Sequence, residues 1–79
     1  MNFKIDVHWD DEARVWYVED SNVPGLAAEA STVEAMQALL RVRVPELLEL
    51  NMPQLFESRQ SRSSYEIVTH RRQDVAVAC

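Results

Sequence analysis

The fold is decided by the opening run Phe3-Lys4-Ile5-Asp6-Val7-His8-Trp9. Apolar side chains alternate with polar ones along this run, and a period of two is typical of a half-buried strand. Residues 10–14 form a polar connection of the length that joins two hairpin strands. Residues 15–19 are rich in β-branched and aromatic side chains, so we expect a second strand paired with the first.

A third strand and a helix follow. Pro24 and Gly25 mark a turn, and we interpret residues 26–30 as a short strand. Ser31 and Glu34 have the spacing of a capping box, in which each side chain accepts a backbone amide hydrogen at the helix start. Apolar residues then recur every three or four positions. This spacing predicts one helix over residues 32–50, kinked at Pro45 because proline removes a backbone hydrogen bond.

The rest of the chain supplies one more strand. Residues 51–64 are a polar connection, and residues 65–79 are interpreted as the last strand and a tail. The order strand, strand, strand, helix, strand predicts an α+β fold in a single domain over residues 1–79. We expect an antiparallel sheet with one kinked helix packed on one face.

The size of the chain limits its stability. It has 79 residues, room for one domain, and such a domain buries only about 60% of the surface of its unfolded chain. Cys79 is the sole cysteine, so no internal disulfide forms, and no Cys/His cluster is present for zinc. We therefore expect no cofactor, and we expect a dimer or larger homo-oligomer to supply the missing burial.

Charge is uneven along the chain, whose formal net charge is −5. Residues 1–57 carry eleven acidic and four basic side chains, net −7, and residues 58–79 carry four Arg against two acids, net +2. Because an acidic surface repels phosphates, we expect no nucleic-acid binding without a separate DNA-binding domain. No apolar run reaches the ~20 residues of a membrane helix and no signal peptide is evident, which predicts a cytoplasmic protein with no membrane partner.

A single helix covers one face of a sheet and leaves the other face to water. The second strand carries apolar side chains on both of its sides, and an exposed apolar patch usually marks an interface. We therefore expect Trp16 and Val18 to contact a second copy or a partner protein, together with Tyr65 and Ile67 of the last strand. The last strand offers a further route to pairing if it lies at the sheet edge. The alternative is that residues 51–64 fold over this face.

Two groups of side chains resemble metal or catalytic sites. His8 and His70 could ligate a metal or act as a base, but neither has a second ligand at a local spacing, and a surface histidine is the commoner case. Asp10, Asp11 and Glu12 lack the alternate spacing and the glycine of a calcium loop. We interpret them as a solvated hairpin loop and expect no metal site.

Two further groups could meet nucleic acid. Asp6 could join Glu19 and Asp20 in the carboxylate cluster of a metal-dependent nuclease, although nothing in the sequence sets their separation. Four basic residues could contact phosphates, but no interleaved aromatic residues accompany them in the sequence. These are Arg59, Arg62, Arg71 and Arg72. We expect no catalytic residues.

Several short segments together resemble the HicB-like antitoxin family. The segments are residues 9–16, 23–26, 29–35 and 41–51, and the last resembles a short single-domain branch described only as a domain of unknown function. The resemblance implies a β-β-β-α-β fold, oligomers, and an antitoxin that occludes a small basic toxin that cleaves mRNA. Relatives often carry a second, operator-binding domain, for which residues 58–79 are too few.

The leading hypothesis is a non-enzymatic antitoxin-type protein that self-associates and neutralises such a toxin. Its acidic charge would attract a basic partner and speed their encounter. An orphan regulatory or structural homodimer is the alternative hypothesis. A metal-dependent nuclease that uses Asp6 and neighbouring acids is the third.

Overall fold

A computed structural model describes residues 2–57, 63–72 and 75. The elements are β1 (Asn2–Asp10), β2 (Val15–Ser21), β3 (Glu29–Ala30), α1 (Val33–Asn51), a 3-10 turn (Pro53–Phe56) and β4 (Ser64–His70). The α+β class and the order β-β-β-α-β are therefore confirmed. The described part of the chain contains no helix that is both long enough and apolar enough to cross a membrane.

Within the described residues, four strands form one mixed sheet with the order β3-β2-β1-β4. The pairs β1–β2 and β2–β3 are antiparallel, but β4 runs parallel to β1, whereas the sequence predicted an antiparallel sheet throughout. The reason lies in α1, which carries the chain back across the sheet after β3. As a result, β4 starts at the same end as β1 and lies beside it.

The β1–β2 hairpin contains a tight turn and a bulge. The turn is closed by Asp10, whose carbonyl oxygen accepts the backbone N–H of Arg14 at 2.8 Å and whose carboxylate accepts from Glu12 at 3.0 Å. Further along, Asp6 lies opposite Asp20 while Val7 lies opposite Val18, so Glu19 is an extra residue on β2. Such a bulge bends the strand and redirects the side chains on either side of it.

The core lies between α1 and one face of the sheet. Among the described residues, the buried apolar side chains come from β1, β2, the following turn and α1: Phe3, Ile5, Val7, Trp16, Val23, Met36, Leu40, Val44 and Leu48. The predicted face of β1 is confirmed, because its odd-numbered residues from 3 to 7 are buried. The four buried positions of α1 are spaced by four residues, which is one helical stripe.

The start of α1 differs by one residue from the prediction. Thr32, not Ser31, is the N-cap, and its hydroxyl accepts the backbone N–H of Ala35 at 3.0 Å. Glu34 lies in the first turn, where a carboxylate interacts favourably with the helix dipole. Pro45 lies inside a single continuous helix. Gly25 has a φ of +74°, which explains why a glycine follows Pro24 in this turn.

The four predicted interface residues lie on the face that α1 covers. Trp16 is only 8% exposed and belongs to the core, while Val18, Tyr65 and Ile67 pack against it half-buried. The expectation that Trp16 and Val18 face away from the helix is wrong, because the register places Val18 opposite the buried Val7. Contact of the three half-buried residues with a partner chain stays a prediction.

Candidate functional site

The face of the sheet that α1 leaves uncovered, here called the open face, is the candidate functional site. Its side chains come from alternate positions on all four strands. They include Lys4, Asp6, His8, Tyr17, Glu29, Glu66, Val68 and His70, and each is half-buried or exposed. The open face is therefore polar and titratable, unlike the apolar face beneath the helix.

Two histidines meet on this face near the carboxyl ends of β1 and β4. His8 and His70 lie opposite each other on β1 and β4, with their rings stacked at 4.5 Å between centroids and 19° between planes. His70 also lies 3.2 Å from a carboxylate oxygen of Asp6, which its Nε2–H reaches in the tautomer protonated there. The sequence predicted neither contact, because a parallel pairing joins residues at opposite ends of the chain and leaves no local signal.

Tyr17 lies beside the histidines in acidic surroundings. Its ring centroid is 6.2 Å from that of His8. The pKa of Tyr17 is raised, first by the hydrogen bond that it donates to Glu19, then by partial burial and by the charges of Glu19 and Asp10. Each carboxylate disfavours the phenolate, so Tyr17 reports a concentration of negative charge at this part of the open face.

The acids proposed as a nuclease cluster are only partly brought together. Asp6 and Asp20 lie opposite each other across β1 and β2, beside Lys4, and line a depression of about 310 Å³. Glu19 occupies the neighbouring bulge and raises the pKa of Tyr17. Within residues 2–57, 63–72 and 75, no group of three or more His, Cys, Asp or Glu side chains could hold a metal ion.

The carboxyl ends of β1 and β4 bring cationic and aromatic side chains together. The guanidinium carbon of Arg71 lies 4.6 Å from the centroid of the Trp9 ring, and that of Arg14 lies 5.3 Å from it. No Phe, Tyr or Trp residue is adjacent to these arginines in the sequence, and Trp9 is their aromatic partner in the folded chain. Arg59, Arg62 and Cys79 lie outside the described residues.

Residues 2–78 match the family described as a domain of unknown function, DUF1902. The chain belongs to this family. The DUF1902 protein is also similar to a solved structure, the crystal structure of the hypothetical protein TTHA1013 from the extremely thermophilic bacterium Thermus thermophilus. The two chains are 39% identical, the match covers 98% of this chain and 100% of the other, and the TM-score is 0.68. No curated protein matches the chain.

These comparisons confirm membership of a family described only as a domain of unknown function, and the likeness to HicB-like antitoxins stays a prediction. The similar structure is itself a hypothetical protein, so it supports the fold of the DUF1902 chain without assigning a role. The function must therefore be inferred from the open face and from the edges of the sheet.

Proposed function

We propose that this DUF1902 protein is a non-enzymatic, cytoplasmic antitoxin-type protein of the HicB-like kind. In this role it self-associates and binds a small basic toxin that cleaves mRNA. The proposal is supported chiefly by the acidic part of the open face around Tyr17. The family resemblance supplies the kind of partner, and the geometry supplies the surface that would bind it.

The acidic part of the open face consists of Glu19, Asp20 and Glu29, here called the acidic patch. All three side chains are exposed, and Glu29 lies directly opposite Tyr17 in the sheet. The patch belongs to a segment, residues 1–57, whose net charge is −7. Such a surface attracts a basic protein over several ångströms, raises the rate of encounter and competes with the RNA that the same protein would bind.

Self-association is supported by the exposed edge of β4. Among the described residues, β4 is paired only with β1, so one side of its backbone lacks a sheet partner. An apolar groove of about 190 Å³ lies next to this edge, and Val44, Tyr65 and the 55% exposed Phe56 are among its lining residues. An open strand edge beside an apolar groove is a suitable surface for a second copy. The same edge supports the second candidate function, an orphan regulatory or structural homodimer.

Coexpression with the product of an adjacent gene, if that product is small and basic, tests the antitoxin role. We expect the tagged DUF1902 protein to capture this product at low salt and to relieve its toxicity. The triple variant Glu19→Lys, Asp20→Lys, Glu29→Lys should lose capture, because it reverses the charge of the acidic patch.

The matched control carries the same three changes of charge on the helix. Glu34, Glu46 and Glu49 are exposed on α1, and their replacement by Lys should leave capture unchanged. If both triple variants lose capture equally, net charge rather than the acidic patch is responsible. If no complex forms with wild-type protein, or no such neighbouring gene exists, the antitoxin role is wrong and the homodimer remains.

A magnesium titration with an RNA substrate tests the third hypothesis, the nuclease. Asp6 and Asp20 face each other, which is the feature that such an activity would use. We expect no cleavage. Magnesium-dependent cleavage that is lost in Asp6→Asn would overturn the non-enzymatic proposal.

A further inference from the structure

The carboxyl ends of β1 and β4 carry a group of side chains that the proposed function does not use. An open depression of about 570 Å³ lies there, lined by His8, Trp9, Thr69, His70, Arg71 and Arg72. The parallel pairing of the two strands delivers these side chains to the same end of the sheet. We propose that this depression binds the phosphate group of a small phosphorylated molecule.

Arg71 is the first donor, and Trp9 holds it in position. The guanidinium lies over the indole at 4.6 Å, which is a cation–π contact. The indole is itself fixed, because its Nε1–H donates to Asp11 at 3.2 Å and its ring packs against Trp16 at 5.4 Å. A guanidinium held in this way loses less conformational freedom when it binds an anion, and its N–H groups match the oxygens of a phosphate.

The two histidines supply further donors in the same depression. The rings of His8 and His70 are stacked, and both line the depression together with Arg71 and Arg72. A neutral imidazole has one N–H donor and a protonated one has two, so His8 offers a donor in either form, whereas His70, whose Nε2–H is donated to Asp6, offers one only when protonated. Asp6 accepts from one ring nitrogen of His70 and thereby orients that ring. Guanidinium and imidazole N–H groups around one cavity are a donor set suited to an oxyanion.

The surrounding charge favours a small ligand over a polyanion. Asp11 is paired with Arg14 at 3.1 Å, and Asp6 accepts a hydrogen bond from His70, so each of these two carboxylates near the depression already has a partner within the chain. Beyond them lies the acidic patch of the open face. A nucleic-acid strand would extend over these carboxylates and be repelled, whereas a single phosphate group remains within the depression.

Titration of the ¹⁵N-labelled full chain with sodium phosphate, at ionic strength held constant with sodium chloride, tests the proposal. We expect saturable NMR shifts of the Trp9 indole N–H and of the His8 and His70 ring signals. The double variant Arg71→Gln, Arg72→Gln should bind phosphate with an affinity reduced by about tenfold or more, because it lacks the charge-assisted hydrogen bonds.

The matched control is Arg41→Gln, Arg43→Gln, which changes the net charge equally on exposed positions of α1. It should bind phosphate as the wild type does, and both variants should keep the dispersed spectrum of the folded chain. Shifts that do not saturate, or equal weakening in both variants, would overturn the proposal.

A second titration distinguishes the source of the phosphate. A nucleoside monophosphate should shift the same signals as inorganic phosphate and with similar or higher affinity. A short single-stranded RNA should bind more weakly per phosphate because of the acidic patch. If the RNA binds through these residues more tightly than either small ligand, the assignment to a small molecule is wrong.

Discussion

The two faces of the sheet are built from the same strands and have opposite chemistry. On the face covered by α1, Ile5 and Val7 are completely buried and pack with Leu40 in one apolar cluster. On the open face, His8 lies between Val7 and Trp9 in sequence yet stacks on His70 and lies near Tyr17. Neighbouring residues on one strand therefore lie in opposite environments, one in the apolar core and the next on a surface with titratable side chains.

The two faces contribute differently to the stability of the fold. The covered face stabilises the fold through the burial of apolar area, and this hydrophobic contribution is non-directional. A charged side chain placed on this face would be buried without a partner and would destabilise the fold. The open face contributes less to burial and can hold the acidic patch and the histidine pair. Adjacent residues on β2 show the contrast most directly, because Trp16 belongs to the core and Tyr17 does not.

Replacement of these two neighbours gives the largest expected difference. Trp16→Ala should lower the free energy of unfolding by about 3–5 kcal/mol, because it removes a large buried side chain and leaves a cavity. Tyr17→Ala should cost about 1 kcal/mol or less, since it removes only cross-strand contacts on the open face. Urea unfolding followed by circular dichroism measures both values.

Equal losses for the two variants would contradict the distinction between the faces. In that case the open face is buried in an assembly, and the loss for Tyr17→Ala should shrink as the protein is diluted. Trp16→Asp is a poor test of an interface. A charge at this core position destabilises each copy of the chain, whether or not the copies associate.

The helix that covers one of the two faces is capped by Thr32, and removal of this cap should give an intermediate effect. Thr32→Ala should cost about 1 kcal/mol, because the backbone N–H of Ala35 loses its acceptor. Ser31→Ala is the control, with an expected change within about 0.5 kcal/mol. If thermal unfolding shows the larger loss for Ser31→Ala, the capping box predicted from sequence is correct and the observed cap is wrong.

The smallest effect is a pH dependence on the open face. The pKa of Tyr17 is raised, mainly by its hydrogen bond to Glu19, so the folded chain holds this proton more tightly than the unfolded chain does. The resulting stabilisation is present below the pKa of an unfolded tyrosine, about 10, and is lost as the pH rises through the higher pKa of the folded state. Urea unfolding at several alkaline pH values should show this decline.

Tyr17→Phe is the matched variant, because it keeps the ring and removes the titrating group. It should show a weaker decline of stability with rising pH than the wild type. A decline of the same size in both proteins would assign the effect to other groups and not to Tyr17.

Local patterns in the sequence were sufficient for the order of the elements and for the hairpin turn between β1 and β2. The alternation of residues 3–9 predicted which face of β1 is buried, and the helical spacing predicted α1. Asp10, Asp11 and Glu12 were recognised as a hairpin loop, and Asp10 indeed closes the turn. The error at Ser31 has a local cause, because two adjacent hydroxyl residues can both cap and only the start of α1 decides between them.

The sequence by itself determined the order of elements, the apolar stripe of α1 and the turn at Gly25. Each of these features depends on residues that are close together in the sequence. The tertiary structure decided the parallel pairing of β4, the side to which Trp16 and Val18 point, and the meeting of His8 with His70 and of Trp9 with Arg71. The pairings of β4 with β1 join segments separated by most of the chain. Their register depends on how α1 returns the chain across the sheet, which no local pattern encodes.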